Sequence, residues 1–505
     1  MAVAKTTGGA GGASGTGDVR PRLAGRERLV GVDVARGIAI LGVFIAHMGV
    51  PLVAFALGPE AVEGAGSFAI IDYSGAGATG TVAGWVETAV SGRSAALFAF
   101  LAGISLILVA GRHRPDTREE RNRARVRVAA RAIALIVLGY ALATLGSLAV
   151  ILHFYGLYFL LAIPLLWLRR RYLAAVGAAF LLLGPLLVTG VYSSALPWGS
   201  AFGAEESYDA EWEAEWDAKW DDPEWVAEQE ALDAKWEARA DDPEWVATYE
   251  AEQEASDAKW EAEMAEGFAD KPLFALDYLE SPAGLLVTGI YPAVVFMAYV
   301  IAGMLVARLD LRATRVRLGL VAGGVGLAVT GYGSSFLLLG PLSSLLPGGG
   351  EDVRYVDLLS ADSHANTTLE VIGNTGVAMA VLGLCLLAAD RAGRLPYPLA
   401  AAGAMTLTLY TAHGVGLWAL ERVIAPDASW AEFLRLHSVD VFILVGLVFA
   451  VLWRRYLGAG PLERPVSWIS RTTARRFVPA PATVASESAG TSDLASPSGS
   501  ATPSA

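Results

Sequence analysis

The sequence predicts an all-α polytopic membrane protein, a bundle of about ten transmembrane helices with cytoplasmic N- and C-termini and one helical, acidic extracytoplasmic insert. Three observations predict it. Hydrophobic residues make up 54% of the chain, and the mean hydropathy is +0.46, beyond an ordinary water-soluble composition. Several stretches run about 18 residues or more with few charges, the length a helix needs to cross a bilayer core. The segments between them alternate between basic and neutral or acidic, as the positive-inside rule asks of a multi-pass chain.

Residues 1–28 begin MAVAKTTGGAGGASGTGDV, a Gly/Ala/Thr-rich run expected to be disordered. No apolar core follows a basic start, so the run does not read as a signal peptide. The collar RPRLAGRER leads into a first span at roughly 30–54. A second span at 93–111 is followed by the Arg-rich loop GRHRPDTREERNRARVR. Spans three and four, near 130–148 and 150–168, end at Arg169 to Arg171, and span five covers 173–192. These spans form a first membrane half, 29–203. The acidic insert occupies 204–280. Spans six (282–308), seven (316–340), eight (371–389), nine (397–420) and ten (438–456) make a second half, 281–475. The Pro/Ser/Ala/Thr-rich tail, 476–505, is expected to be disordered in the cytoplasm.

Ten spans with an inner N-terminus put RPRLAGRER, the 112–131 loop, Arg169 to Arg171, RLDLRATRVR, DRAGR and WRRYLGAGPLER inside, and all are basic. They put 55–90, the insert, 341–368 and 421–435 outside, and these are neutral or acidic.

The net charge of −13 belongs to the insert. Residues 204–270 hold 25 Asp and Glu against 4 Lys and Arg, and the remainder of the chain is +8. DDPEWVA occurs at 221–227 and 241–247, and DAKW at 217, 233 and 257. Ala, Glu and the Asp-Asp-Pro-Glu starts favour short helices. Two readings fit: a lid or partner-binding module whose tryptophans stack on sugars, and a duplicated loop with no catalytic part. The single cysteine, Cys385, allows no disulfide within the chain and no Cys-based metal site. No basic patch with interleaved aromatics is present, so nucleic acid is not an expected partner.

The first span contains RGIAILGVFIAH, with Arg36 and His47 in an apolar run. An ionisable residue in a span costs several kcal/mol unless it is paired or faces a cavity. Eleven residues turn a helix about 20° past three full turns and advance it about 16 Å, so both side chains share one face. Asp33, three residues before Arg36, is in place to pair with it. The stripe suits a phosphate at the arginine end and proton transfer at the histidine end. A snorkelling arginine and a histidine bonded to a neighbouring helix fit it as well. Two further histidines fall on or near the outer side in this topology. His413 lies in TLTLYTAHGVGL with Thr406 and Tyr410 on its face, and His364 lies in SADSHANTTLE beside Asn366. An outward-opening pocket could gather His47, His364 and His413, although His153 and His437 also fall near outer span ends. Three histidines can make a zinc site, but neither HExxH nor an i, i+4 pair occurs, and no metal is expected.

RLVGVDVARGIAILGVFIAH resembles the first-span motif of the transmembrane acyltransferase superfamily, which includes acyltransferase family 3, the heparan-alpha-glucosaminide N-acetyltransferase family and the YeiB family. Arg36 and His47 match the family 3 pattern of an arginine, ten residues and a histidine. AAGAMTLTLYTAH, WRRYLGAGPLERPVSWISR and SADSHANTTLEVIGNTGVAMAVLGLCLL look like the YeiB-type second half. The resemblance covers about 28–475 without the insert. It implies an enzyme that takes an acyl group, usually acetyl, from cytoplasmic acyl-CoA and delivers it to a hydroxyl or amine of an extracytoplasmic glycan or envelope lipid. Arg36, with Asp33, would hold the acyl-CoA donor. His47 would be general base or acyl relay, with His364 and His413 as auxiliary acid, base or orienting groups and Thr406, Tyr410 and Asn366 as substrate-orienting candidates. The implied location is the plasma membrane, among membrane lipid. Two other classes use the same features: a transporter or flippase with the polar stripe as its path, and a scaffold whose insert binds a partner.

Overall fold

The computed structural model describes residues 29–49, 86, 88–111, 114–146, 148–192, 227, 245, 281–346, 358–393, 395–422 and 437–478. Every regular element among them is helical. In chain order the α-helices are α1 Val30–Met48, α2 Arg93–Ala110, α3 Arg118–Ala143, α4 Leu152–Ala162, α5 Arg170–Tyr192, α6 Ala293–Val306, α7 Thr314–Leu339, α8 Thr368–Arg391, α9 Tyr397–Gly403, α10 Thr406–Arg422, α11 Ser438–Tyr456 and α12 Glu463–Phe477. Six of them, α1, α2, α3, α5, α7 and α8, are long and apolar enough to cross a membrane. α4 and α6 are shorter apolar helices. The expectations for 1–28, for the acidic insert and for most of the tail fall on residues outside the described set.

Three expected boundaries change, each for a local reason. The Arg-rich loop is largely helix: α3 begins at Arg118, where the Thr117 side chain accepts the Glu120 N–H at 3.2 Å, and arginine is a good helix former once a cap is present. Span six is interrupted. A π-helical turn, Gly284–Thr288, precedes Gly289, and Pro292 caps α6, because proline starts a helix better than it continues one. Span nine divides into α9 and α10 at residues 404 and 405. α12 lies beyond the ten expected spans. It buries Val466, Ser470 and Ala474 and turns Arg464, Arg471, Arg475 and Arg476 outward.

α1 sits at the centre, packed against α2, α8, α9, α10 and α11. It comes close because small residues line it. A Cβ on Gly37 would collide with the Leu399 carbonyl of α9, and one on Gly403 with the Asp33 carbonyl of α1, the small-residue packing that lets membrane helices meet where lipid offers no hydrophobic drive. α7 and α8 run antiparallel, pinned by the ion pair of Arg317 with Asp390. In α5, Pro185 lacks the N–H that would bond the Leu181 carbonyl, and the Thr368 hydroxyl of α8 donates to that carbonyl at 3.1 Å. α7 is largely exposed, with Val329 66% and Phe336 70% accessible, consistent with a lipid-facing helix.

Candidate active site

One end of the bundle collects the C-terminal end of α1, the N-terminal end of α2, the start of α6 and the loop before α8. A cavity there is lined by His47, Ser91, Ser94, Tyr291 and His364, with Val43 and Ala46 below. His413, on α10, is fully buried behind His47. The two imidazoles lie nearly parallel, 11° apart, with His47 Nδ1 3.0 Å from His413 Nε2. His413 Nδ1 is 2.6 Å from the Tyr410 carbonyl oxygen. A carbonyl can only accept, so His413 Nδ1 carries the proton and His413 Nε2 is the acceptor. The His47 Nδ1–H then donates to it, which leaves the lone pair of His47 on Nε2. An orienting partner on the far nitrogen is what fixes the tautomer of a histidine base.

His364 joins the cavity from the loop before α8, its ring edge-to-face with Tyr291 at 5.4 Å. The loop is docked by Ser363, whose hydroxyl is 3.0 Å from that of Ser91. Burial holds the His364 imidazole below its usual range, at about 4.

Near the other end of α1, Arg36 pairs with Asp33 at 3.4 Å, the i, i+3 contact expected from spacing. It also donates to the Ser105 hydroxyl of α2, which in turn donates to the Leu101 carbonyl at 2.6 Å. Beside them Arg131 of α3 lines a crevice with Ser105, Leu106, Val128 and Phe159. Its Nε is buried and has no hydrogen-bond partner among the described residues. Arg131 stands within electrostatic range of Arg36 and Glu463. Arg36, Arg131 and Ser105 could together hold an anionic group. Among the described residues no group of three His, Cys, Asp or Glu is gathered for a metal ion.

The structure engages the remaining candidates differently from expectation. The Tyr410 hydroxyl is turned away from His47 and accepts the Ile151 N–H at 3.1 Å; its carbonyl, not its phenol, serves the histidine pair. Thr406 is the first residue of α10, about 10 Å below His413 along the axis. At that end it is Thr408 that makes the contacts, to the Glu463 carboxylate at 2.6 Å (hydroxyl) and 3.1 Å (N–H). The Asn366 amide bonds the His364 carbonyl at 3.0 Å, inside its own loop. His153 is buried between Tyr140 and Phe154 and is not among the cavity residues.

Residues 68–210 match the family model described as heparan-alpha-glucosaminide N-acetyltransferase, catalytic. In this region the chain is similar to the heparan-alpha-glucosaminide N-acetyltransferases. The matched stretch spans α2 to α5, and so includes Ser91, Ser105 and Arg131. Arg36 and His47 precede it on α1, and His364, in the loop before α8, and His413, on α10, follow it. No curated protein matches the chain closely enough to add a relative. The apolar helices mark a membrane protein, and the match makes residues 68–210 similar to the catalytic region of an acetyltransferase family. They do not favour the transporter reading.

Sequence reasoning missed Arg131, Ser105, Tyr291 and Glu370. Arg131 was hidden in a run of arginines read as a loop. Glu370 carried a signal, a lone carboxylate at the start of a span.

Proposed function

We propose that this chain is a plasma-membrane acyltransferase. It moves an acyl group, acetyl by the family likeness, from acyl-CoA at the Arg36 end to a hydroxyl or amine of an envelope glycan or lipid at the His47 end. The observation that carries this reading is the oriented chain from the Tyr410 carbonyl through His413 to His47, which leaves one basic nitrogen for the cavity. Arg36 and Arg131 suit the phosphates of the donor, since guanidinium binds such oxygens bidentately. The donor supplies an acyl group already activated as a thioester.

The reaction needs a base at the acceptor. The acceptor's O–H or N–H gives its proton to His47 Nε2 while its heteroatom bonds the acyl carbon. The C–S bond breaks, and the proton passes from His47 to the departing thiolate. The Nδ1–H to His413 Nε2 bond spreads the imidazolium charge onto a second ring, itself anchored on Tyr410. His364 is the candidate for orienting the acceptor.

The test uses proteoliposomes that enclose an envelope extract, with radiolabelled acetyl-CoA outside. Label in the enclosed glycan or lipid fraction, lost in His47→Ala, supports transfer across the membrane. Export of enclosed solute with no acetylation would support the transporter instead.

A further inference from the structure

Glu370 begins α8 inside the bundle and is 5% exposed. The motif around it, Thr367-Thr-Leu-Glu370, has the form of a capping box. Half of that box is made: the Thr367 hydroxyl accepts the Glu370 N–H at 3.1 Å. The reciprocal bond would run from the Thr367 N–H to the carboxylate. Instead the carboxylate reaches further back along the chain. It accepts the Asn366 N–H at 2.6 Å and the His364 N–H at 3.2 Å, and one turn on along the helix the Asn374 amide at 3.0 Å. A helix cap does not require this arrangement.

His364 and Asn366, whose N–H groups it takes, have φ of +63° and +53°, and they are the non-glycine residues with positive φ among the described residues. Such backbone persists where its surroundings over-determine it, and it concentrates at functional sites. Here the surroundings are identifiable. Thr367 donates to the Ser360 carbonyl, Ser363 meets Ser91, and Asn374 is held by the Tyr332 hydroxyl at 2.5 Å. Together they deliver one side chain to the cavity, the imidazole of His364 opposite His47. Three donors converge on the two oxygens of Glu370. A carboxylate offers acceptors only; a glutamine would point a donor at one of those donors.

We infer that Glu370 is the positioning residue for His364: it holds the strained 360–367 loop so that the imidazole faces His47 and the acceptor. The inference rests on the acyl-transfer reading for its kinetic part, and its structural part stands alone.

The full chain in nanodiscs is compared as wild type, Glu370→Gln, His364→Ala and the double variant. The first readout is the diethylpyrocarbonate modification rate of each histidine, resolved by peptide mass spectrometry. Glu370→Gln is expected to raise the rate at His364 at least fivefold and leave His437 unchanged. The second is acetyl transfer. Glu370→Gln is expected to lower kcat about tenfold or more with the KM for acetyl-CoA within twofold, and the double variant to be no worse than His364→Ala. Unchanged His364 reactivity in Glu370→Gln overturns the inference. So do additive kinetic losses, or a rise at every histidine together with a lowered melting temperature, which marks a general structural role. If Glu370→Gln does not fold, Asn374→Ala, which removes one of the three donors, is held to the same criteria. A wild type that transfers no acetyl group sinks the acyltransferase reading and leaves the reactivity comparison to decide the role of Glu370.

Discussion

His47 and His413 are 366 residues apart in the chain, yet their ring nitrogens meet at 3.0 Å. The contact forms because α10 packs against α1, and because the Tyr410 carbonyl holds the second ring from behind. The pair has a direction: carbonyl, His413, His47, cavity. That direction makes His47 the base and His413 its orienting group, and the predictions for the two residues differ accordingly.

Removing His413 leaves His47 in the cavity without its partner. His413→Ala should lower kcat on the order of 10- to 100-fold, the scale of a misoriented catalytic group, with little change in the KM for acetyl-CoA. Steady-state kinetics in nanodiscs measure the split. A loss confined to KM would be inconsistent with an orienting role.

At the other end of α1, Arg36→Lys keeps the charge and loses the planar fork. Its expected effect is a rise of about tenfold in the KM for acetyl-CoA, which corresponds to about 1.4 kcal/mol, with kcat within about threefold. Arg131→Gln should act in the same direction. Comparing acetyl-CoA with acetyl-pantetheine, which lacks the nucleotide phosphates, completes the test: both variants should lose their defect on the truncated donor.

Burial of His364 makes a statement about pH. Its folded-state value of about 4 is below the ordinary 6.5, so between those values the unfolded chain binds a proton that the folded chain does not. Stability is therefore complete above about pH 6.5 and falls as pH drops toward 4, by up to about 3 kcal/mol from this group. Melting temperature against pH in detergent measures it. His364→Gln should flatten the fall over that window, and an identical slope in both proteins would show that His364 is not held neutral by burial.

The contact of α1 with α9 leaves no room for a side chain at Gly403. Gly403→Val should push the helices apart, cost at least about 1–3 kcal/mol, and lower the melting temperature and activity together. An unshifted melting temperature would mean that the two helices do not pack this closely.

Orientation is open to direct chemistry. With Cys385 replaced by Ala, Leu345→Cys and Phe477→Cys put single thiols on exposed positions, 74% and 72% accessible. A membrane-impermeant maleimide applied to intact cells should label position 345 and spare position 477 until the cells are opened. The reverse pattern would invert the topology read from the arginines.

Much of this was legible in the sequence because lipid imposes a strong length and polarity rule. The six long apolar helices, the shared face of Arg36 and His47, and the Asp33–Arg36 pair all follow from one-dimensional spacing. What was not legible depended on contacts between distant segments. The first turn of α10 is held by Glu463, which bonds the Thr408 N–H and hydroxyl across 55 residues. The hydroxyl of Tyr410 shares a face with His413 by spacing, but the start of α4 claims it. Arg131 looked like one more loop arginine until α3 carried it into the bundle beside Arg36. Glu370 stood just ahead of the span expected at 371–389, and nothing in its spacing showed that the loop behind it, at His364 and Asn366, would bond its carboxylate.

The role of His47 as the base for acyl transfer can be measured as a rate. The most direct measurement is the initial rate at which reconstituted protein moves label from acetyl-CoA to an envelope acceptor, for wild type and for His47→Gln, with folding of both verified by melting curves. For His47→Gln, kcat should fall on the order of 10²- to 10⁴-fold, with acetyl-CoA binding retained. Equal rates in the two proteins would contradict it.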